Sequence, residues 1–310
     1  MKKIEYRDIG NLKNQYIAVF QNWFTKYQPK WTELRNEAPC LQIFPNKLED
    51  ILTARIEEMA DWYNNYIHIT IDENHIGKIK TIFKYKGYCQ SLISGFFTEH
   101  SEELNLGICH YCESAYVNSY QSGKLKRNHF DLDHFLPMCY SPITSLSLFN
   151  LVPSCPICNE RLKRNKIMGN NICETIRLCP TSDKYDFDKQ VRISVIPTEA
   201  YCSIHYMDNP DKFKIEFVTR SEEYKNEIDV FKLNDRYDFH KCEALRLLDL
   251  KQNYPESHIQ MIAELLGRDK GSIKESIFAE HFTNDNRRVF AKLHRDILCT
   301  QSLTRCVHKS

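Results

Sequence analysis

Three short motifs lie within one contiguous stretch of the chain: Cys109-His-Tyr-Cys112, Asp131-Leu-Asp133-His134-Phe-Leu-Pro137, and Asn150-Leu-Val-Pro-Ser-Cys155-Pro-Ile-Cys158-Asn159. Each CxxC pair has the two-residue gap that turns both thiolates inward on one ion. Four such ligands, Cys109, Cys112, Cys155 and Cys158, complete a closed tetrahedral structural zinc site. The gap between the pairs is longer than in a plain zinc ribbon, so the insert must hold structure of its own. Four ordinary buried thiols are the bland alternative, but packing alone does not explain two such pairs around a polar, turn-rich insert. His110 is superfluous once four cysteines are present, and Cys139 reads as a plain thiol.

Working outward, the composition limits the partners. The chain has 310 residues, with 42 Lys plus Arg against 41 Asp plus Glu. This balance excludes a uniformly basic nucleic-acid coat, so any such surface is a local patch. No apolar run follows the charged start Met1-Lys-Lys, and no stretch approaches the roughly 20 apolar residues of a membrane span. A cytoplasmic protein with no membrane partner is expected. The 13 cysteines, an odd number, fit a reducing compartment, with the nine outside the pairs read as scattered small core residues.

The central stretch resembles the HNH endonucleases, from about Gly107 to Gly169. Asp133-His134, Asn150 and Cys158-Asn159 stand in that family's order, with zinc knuckles at the family's positions. The resemblance implies a ββα-metal core acting on DNA, with RNA left open. It implies His134 as general base, Asp133 and Asn159 as ligands of a catalytic Mg²⁺ or Mn²⁺, and Asn150 as the loop residue bracing the His-bearing segment. It also suggests bacterial or phage defence, restriction or mobile-element machinery. The chemistry is coherent on its own terms. Imidazole titrates near neutrality and can take a proton from water, while Asp and Asn oxygens suit a hard ion. If Cys155 to Lys166 is one helix, Asn159, Lys163 and Lys166 share a face, which makes Lys163 and Lys166 candidate phosphate contacts. His129 and Asp131 are possible substitutes for the base and the ligand but read more simply as strand or turn residues. The competing reading is a non-catalytic zinc module that binds nucleic acid or protein; it needs none of Asp133, His134 and Asn159.

The flanks carry no catalytic signature. Spacing predicts helices around Tyr16 to Trp23, from Leu48 to Tyr66 and from Glu73 to Phe97, with Gly77 and Gly87 weakening the last. Trp23, Lys26, Tyr27, Lys30 and Trp31 read as a core face with solvated charges in preference to a nucleic-acid surface. Val191, Ile193 and Val195 alternate, as do Phe213, Ile215 and Phe217, predicting a small antiparallel sheet. Helical spacing returns through Ala244, Leu245 and Leu248, through Ile259 to Leu266, and in segments at Ile273 to Phe282 and Arg288 to Ile297. The expected fold is therefore α+β and mainly helical, with regions 1–101, 102–185 (the zinc-stabilised core) and 186–310. The helical flanks are the expected place for a protein partner.

Overall fold

The computed structural model describes residues 1–199, 205–279 and 288–299. It is an α+β chain, mainly helical, with three two-stranded antiparallel sheets. The chain divides into two compact units, Met1–Phe187 and the part from Asp188 onward. The expected regions 1–101 and 102–185 thus belong to one unit.

In the first unit, helices α1 (Ile9–Val19) and α2 (Gln21–Glu37) are followed by α3 (Leu48–Leu52), α4 (Ile56–His68), α5 (Glu73–Ile82) and α6 (Gln90–Glu99). Their core is aromatic. Trp31 meets Phe83 at 5.3 Å and 88°, and Tyr16 meets Phe96 at 5.0 Å and 76°, perpendicular arrangements that suit the ring quadrupoles. The Trp23 and Trp31 indoles are buried and donate to the Ile82 and Pro45 carbonyls. Lys26 and Lys30 stay exposed over the Tyr27 ring. This stretch is a core face with solvated charges.

Two expected helices are broken. Leu48 to Tyr66 divides at Thr53–Arg55, where the Thr53 hydroxyl donates back to the Glu49 carbonyl and the Arg55 N–H donates to the Glu58 carboxylate, opening α4. Side-chain competition for backbone groups of this kind leaves little mark on hydrophobic spacing. The helix expected from Glu73 to Phe97 ends at Ile82. It restarts at Gln90 after a turn in which Gly87 adopts φ 91°, ψ −116°, a conformation open to glycine alone.

After α6 come the exposed hairpin β1 (Ser119–Ser122) and β2 (Leu125–Asn128), then β3 (Asp131–His134) paired with β4 (Leu151–Ser154). The loop between β3 and β4 holds the unit together. Its turns Pro142–Leu146 and Leu148–Asn150 are almost wholly buried. The Leu146 carbonyl accepts from the Tyr16 hydroxyl at 2.8 Å, Ser147 donates to the Ile51 carbonyl at 2.7 Å, and Ser145 donates to the Phe83 carbonyl at 3.0 Å. Buried polar groups need partners, and here the N-terminal helices supply them. Helix α7 (Ile172–Leu178) follows, and α8 (Phe187–Gln190) leads out of the unit.

The second unit has the expected small sheet, β5 (Val191–Pro197) against β6 (Phe213–Thr219), with Val191, Ile193, Val195, Phe213, Ile215 and Phe217 buried on one face. Helices α9 (Glu222–Val230), α10 (Leu233–Asp238), α11 (Lys241–Asn253), α12 (Glu256–Leu266), α13 (Lys270–Phe278) and α14 (Ala291–Cys299) follow. Both outer edges of the sheet are capped by side chains: Asn234 and Asp238 accept from the Phe217 and Ile215 amides, and Asp296 accepts from the Ile193 amide. Such capping blunts an edge that would otherwise invite pairing. The expected continuation of the helix through 280–282 lies outside the described residues. Among the described residues, no helix is long and apolar enough to cross a membrane.

Candidate functional site

The four cysteines of the two pairs are buried, and their sulfurs lie within 4.8 Å of one another. A tetrahedral zinc with bonds of about 2.3 Å has sulfur–sulfur edges of roughly 3.8 Å; the Cys112 and Cys155 sulfurs are 3.9 Å apart. The Cys155 amide donates to the Cys109 sulfur at 3.3 Å and the Ser114 hydroxyl to the Cys112 sulfur at 3.2 Å. Burial pushes the Cys109 thiol well above its usual range, and hydrogen bonding among the neighbouring thiols does the same to Cys158. A cation among them removes that penalty, because the ligand is the thiolate. The donor set fits a structural metal such as zinc, and no other such cluster of Cys, His, Asp and Glu stands among the described residues.

The remaining cysteines are not the uniform core set expected. Cys89 and Cys179 are buried, but Cys139, Cys173, Cys242 and Cys299 are exposed and Cys40 is half-buried. Cys202 and Cys306 lie outside the described residues. His110 is buried, with Nδ1 3.0 Å from the Lys2 carbonyl, and burial lowers its pKa to about 4. It ties down the N-terminus.

Beside the cluster, β3 and β4 are followed by a short π-wound helix, Ile157–Lys163, here called the site helix. In the β3–β4 register Asp133 faces Val152 and His134 faces Leu151. A cavity of about 420 Å³ opens over this pair and is lined by Asp131, Asp133, His134, Asn159, Glu160 and Arg164, and by Tyr85, Lys86 and Gln90 from the N-terminal helical region. His134 Nε2 is 2.9 Å from the Ser145 carbonyl. A carbonyl can only accept, so Nε2 carries the proton and Nδ1 of the neutral ring keeps its lone pair. The Tyr85 ring stands perpendicular to the imidazole, at 4.5 Å and 84°. Burial lowers the His134 pKa, the Ser145 contact opposing it.

Asn150 is wholly buried, and all its bonds go to the loop. Its Oδ1 accepts from the Leu136 amide at 2.7 Å, and its Nδ2 donates to the Leu136 and Thr144 carbonyls. It touches nothing in the cavity and acts by fixing the chain just after His134.

Asn159 sits at the cavity, with Nδ2 3.3 Å from an Asp131 oxygen. Asp131, expected to be an ordinary strand residue, thus belongs to the cavity. Burial raises its pKa, opposed by the Asn159 contact. His129 is instead an exposed residue stacked on Tyr120.

The two lysines depart most from the sequence expectation. The site helix ends at Lys163, because Arg164 takes φ 52°, ψ −126° and its amide bonds to the Asn159 carbonyl. Asn159 and Lys163 do share a face, but that face points inward. Lys163 is 0 % exposed; its ammonium lies 3.1 and 3.0 Å from the two Asp133 oxygens and donates to the His134 carbonyl at 2.9 Å. It is a strut, with no free face for phosphate. Lys166 is exposed beyond the helix end. Asp133 also accepts from the Tyr111 hydroxyl at 2.6 Å. Tyr111 lies inside the first CxxC pair, so one buried network joins both cysteine pairs to the strand bearing His134. Each carboxylate oxygen has two lone pairs, so Asp133 keeps acceptor capacity toward the cavity.

Spacing alone did not reveal Tyr85, Lys86, Tyr111 and Arg164. The one available signal was Gly87, which marks the break that carries Tyr85 and Lys86 to the cavity. No protein-family model, no curated protein and no solved structure matches this chain.

Proposed function

We propose that the chain is a metal-dependent endonuclease of the HNH type that hydrolyses phosphodiester bonds of DNA, with RNA as a second possible substrate. The observation that carries this reading is the state of His134: a ring held by its Nε2, with a basic Nδ1, in a cavity that also offers the oxygens of Asp131, Asp133 and Asn159. Those hard donors suit Mg²⁺ or Mn²⁺, and Asp133 and Asn159 with Asp131 would hold it. When bound, the ion neutralises charge on the scissile phosphate. His134 Nδ1 takes the proton of the attacking water as its oxygen bonds to phosphorus. The bond to the leaving oxygen breaks, and that oxygen is protonated from solvent. Lys163 holds Asp133 and the His134 backbone in place. The exposed cations Lys86 and Arg164, both lining the cavity, take over the phosphate contact expected of Lys163, with Lys166 beyond the helix end. A module that only bound nucleic acid or protein would need neither the oriented imidazole nor the paired oxygens.

A setting in defence, restriction or mobile-element machinery, in the cytoplasm, is part of this proposal and rests on the resemblance alone. The test is nicking of supercoiled plasmid with Mg²⁺ or Mn²⁺. Brief EDTA treatment and desalting should abolish activity and leave zinc in place, because the thiolate site is closed and the oxygen site is open. Activity that follows zinc occupancy and ignores added Mg²⁺ or Mn²⁺ would overturn the reading.

A further inference from the structure

We propose that Tyr85, contributed by the N-terminal helical region, is a positioning residue for His134. The proposal rests on the nuclease reading and extends it, making the region before the first CxxC pair part of the active site.

A single hydrogen bond from Nε2 does not fix an imidazole. The ring can still turn about its side-chain bonds and present Nδ1 to the Ser145 carbonyl, with loss of the basic lone pair from the cavity. The second constraint is the Tyr85 ring, 4.5 Å away and perpendicular. Contact at this distance limits the room in which the imidazole can turn. The first constraint depends on the same segment, since the Ser145 hydroxyl donates to the Phe83 carbonyl at 3.0 Å. Phe83 and Tyr85 both lie in the break between α5 and α6, so one irregular turn supports both the carbonyl that holds Nε2 and the ring that packs the imidazole.

The turn is built for this purpose by its backbone. Lys86 is extended at ψ 137° and Gly87 takes φ 91°, ψ −116°; an uninterrupted helix would carry the side chain of residue 85 elsewhere. A Cβ at Gly87 would meet no atom within 4 Å, so glycine is required there by conformation and not by crowding. Tyr85 does not have the character of a catalytic acid or base. Burial, with the Asp131 carboxylate adding to it, pushes its phenol up to about 12, so the hydroxyl stays neutral. What the ring supplies is shape.

The test pairs plasmid-nicking kinetics with a ¹H–¹⁵N long-range correlation spectrum that reports the tautomer of His134, both in the full chain. Tyr85→Ala should lower kcat by roughly 10- to 100-fold through misplacement of the base, with KM unchanged. Its His134 should show both tautomers, where the parent protein shows the Nε2–H form alone. Tyr85→Phe should restore most of kcat and the single tautomer, because the ring is kept. Should the alanine variant fail to fold, Tyr85→Leu gives the same comparison with apolar bulk retained. A folded Tyr85→Ala or Tyr85→Leu protein with parental kcat and one tautomer would overturn the proposal, as would a Tyr85→Phe protein as slow as Tyr85→Ala. A parent protein that cuts no nucleic acid would defeat the nuclease reading, yet the tautomer comparison would still decide whether Tyr85 holds the ring.

Discussion

The four-cysteine cluster and the cavity over His134 lie side by side and differ in kind. The cluster is closed: its four donors are buried, of one soft type, and lie within 4.8 Å of one another. The cavity is open, its oxygens come from a strand and a helix, and two of its carboxylates already accept hydrogen bonds, Asp131 from the Asn159 amide and Asp133 from the Lys163 ammonium. A closed site must be complete to exist at all, whereas an open one must leave positions for water and phosphate. On the function proposed above, the first serves folding and the second is arranged for exchange. The buried Tyr111–Asp133–Lys163 network runs from one to the other and carries the rigidity of the first into the geometry of the second.

The harshest way to break the comparison is Cys158→Ser. Structural zinc contributes on the order of 10 kcal/mol of apparent binding free energy, comparable to the stability of a whole domain. We expect loss of zinc and of cooperative unfolding for the first unit, read by metal analysis and calorimetry. Stoichiometric zinc with a native melting curve would show that the cluster is not the structural site.

His134→Ala strikes the open site alone. Cleavage should fall by about 10²- to 10⁴-fold, the usual worth of a general base, with zinc content and circular dichroism unchanged. Retained activity would remove His134 from the chemistry. Geometry argues against His129 as a replacement, since it is exposed and stacked on Tyr120.

These two expectations also show how far the sequence was legible. The cysteine spacing was, because ligand chemistry restricts spacing tightly, and so was the β5–β6 hairpin, whose alternation follows from the pleat. The direction of Lys163 was not. Charge favours exposure as a default, and only the fold shows that an ammonium four residues after Asn159 meets a buried carboxylate. The breaks at Thr53–Arg55 and Lys84–Gly87 were obscure for a related reason, since both are made by local backbone and side-chain bonding that leaves hydrophobic periodicity intact. Asp131 read more simply as a strand or turn residue, because a linear motif says nothing of which carboxylate Asn159 meets.

Lys163→Met tests the link between the two sites. Removing one partner of a buried pair costs about 3–5 kcal/mol, because the other charge is left uncompensated. Lys163→Met with Asp133→Asn should recover much of that stability and still lack activity. A single variant as stable as the parent would mean that Asp133 finds another partner. A double variant that still cleaves would remove both residues from the site.

The smallest expected effect concerns the two exposed cations that line the cavity. Lys86 and Arg164 are exposed and both line the cavity, and each, if it contacts a phosphate, releases counterions on binding. In a His134→Ala background, where binding can be followed without cleavage, Lys86→Ala should reduce the salt slope of DNA binding by about 0.9. Arg164→Gly should reduce it by the same amount but raise stability. Arg164 holds φ 52°, ψ −126°, and a residue with a side chain in such a region costs on the order of 1–3 kcal/mol, much of which glycine would relieve. A gain in melting temperature together with a smaller salt slope would mean that the strained backbone is kept for the position of the guanidinium. A gain in stability with the slope unchanged would leave Arg164 as no more than the end of a helix, and the phosphate would have to be held from the Lys86 side.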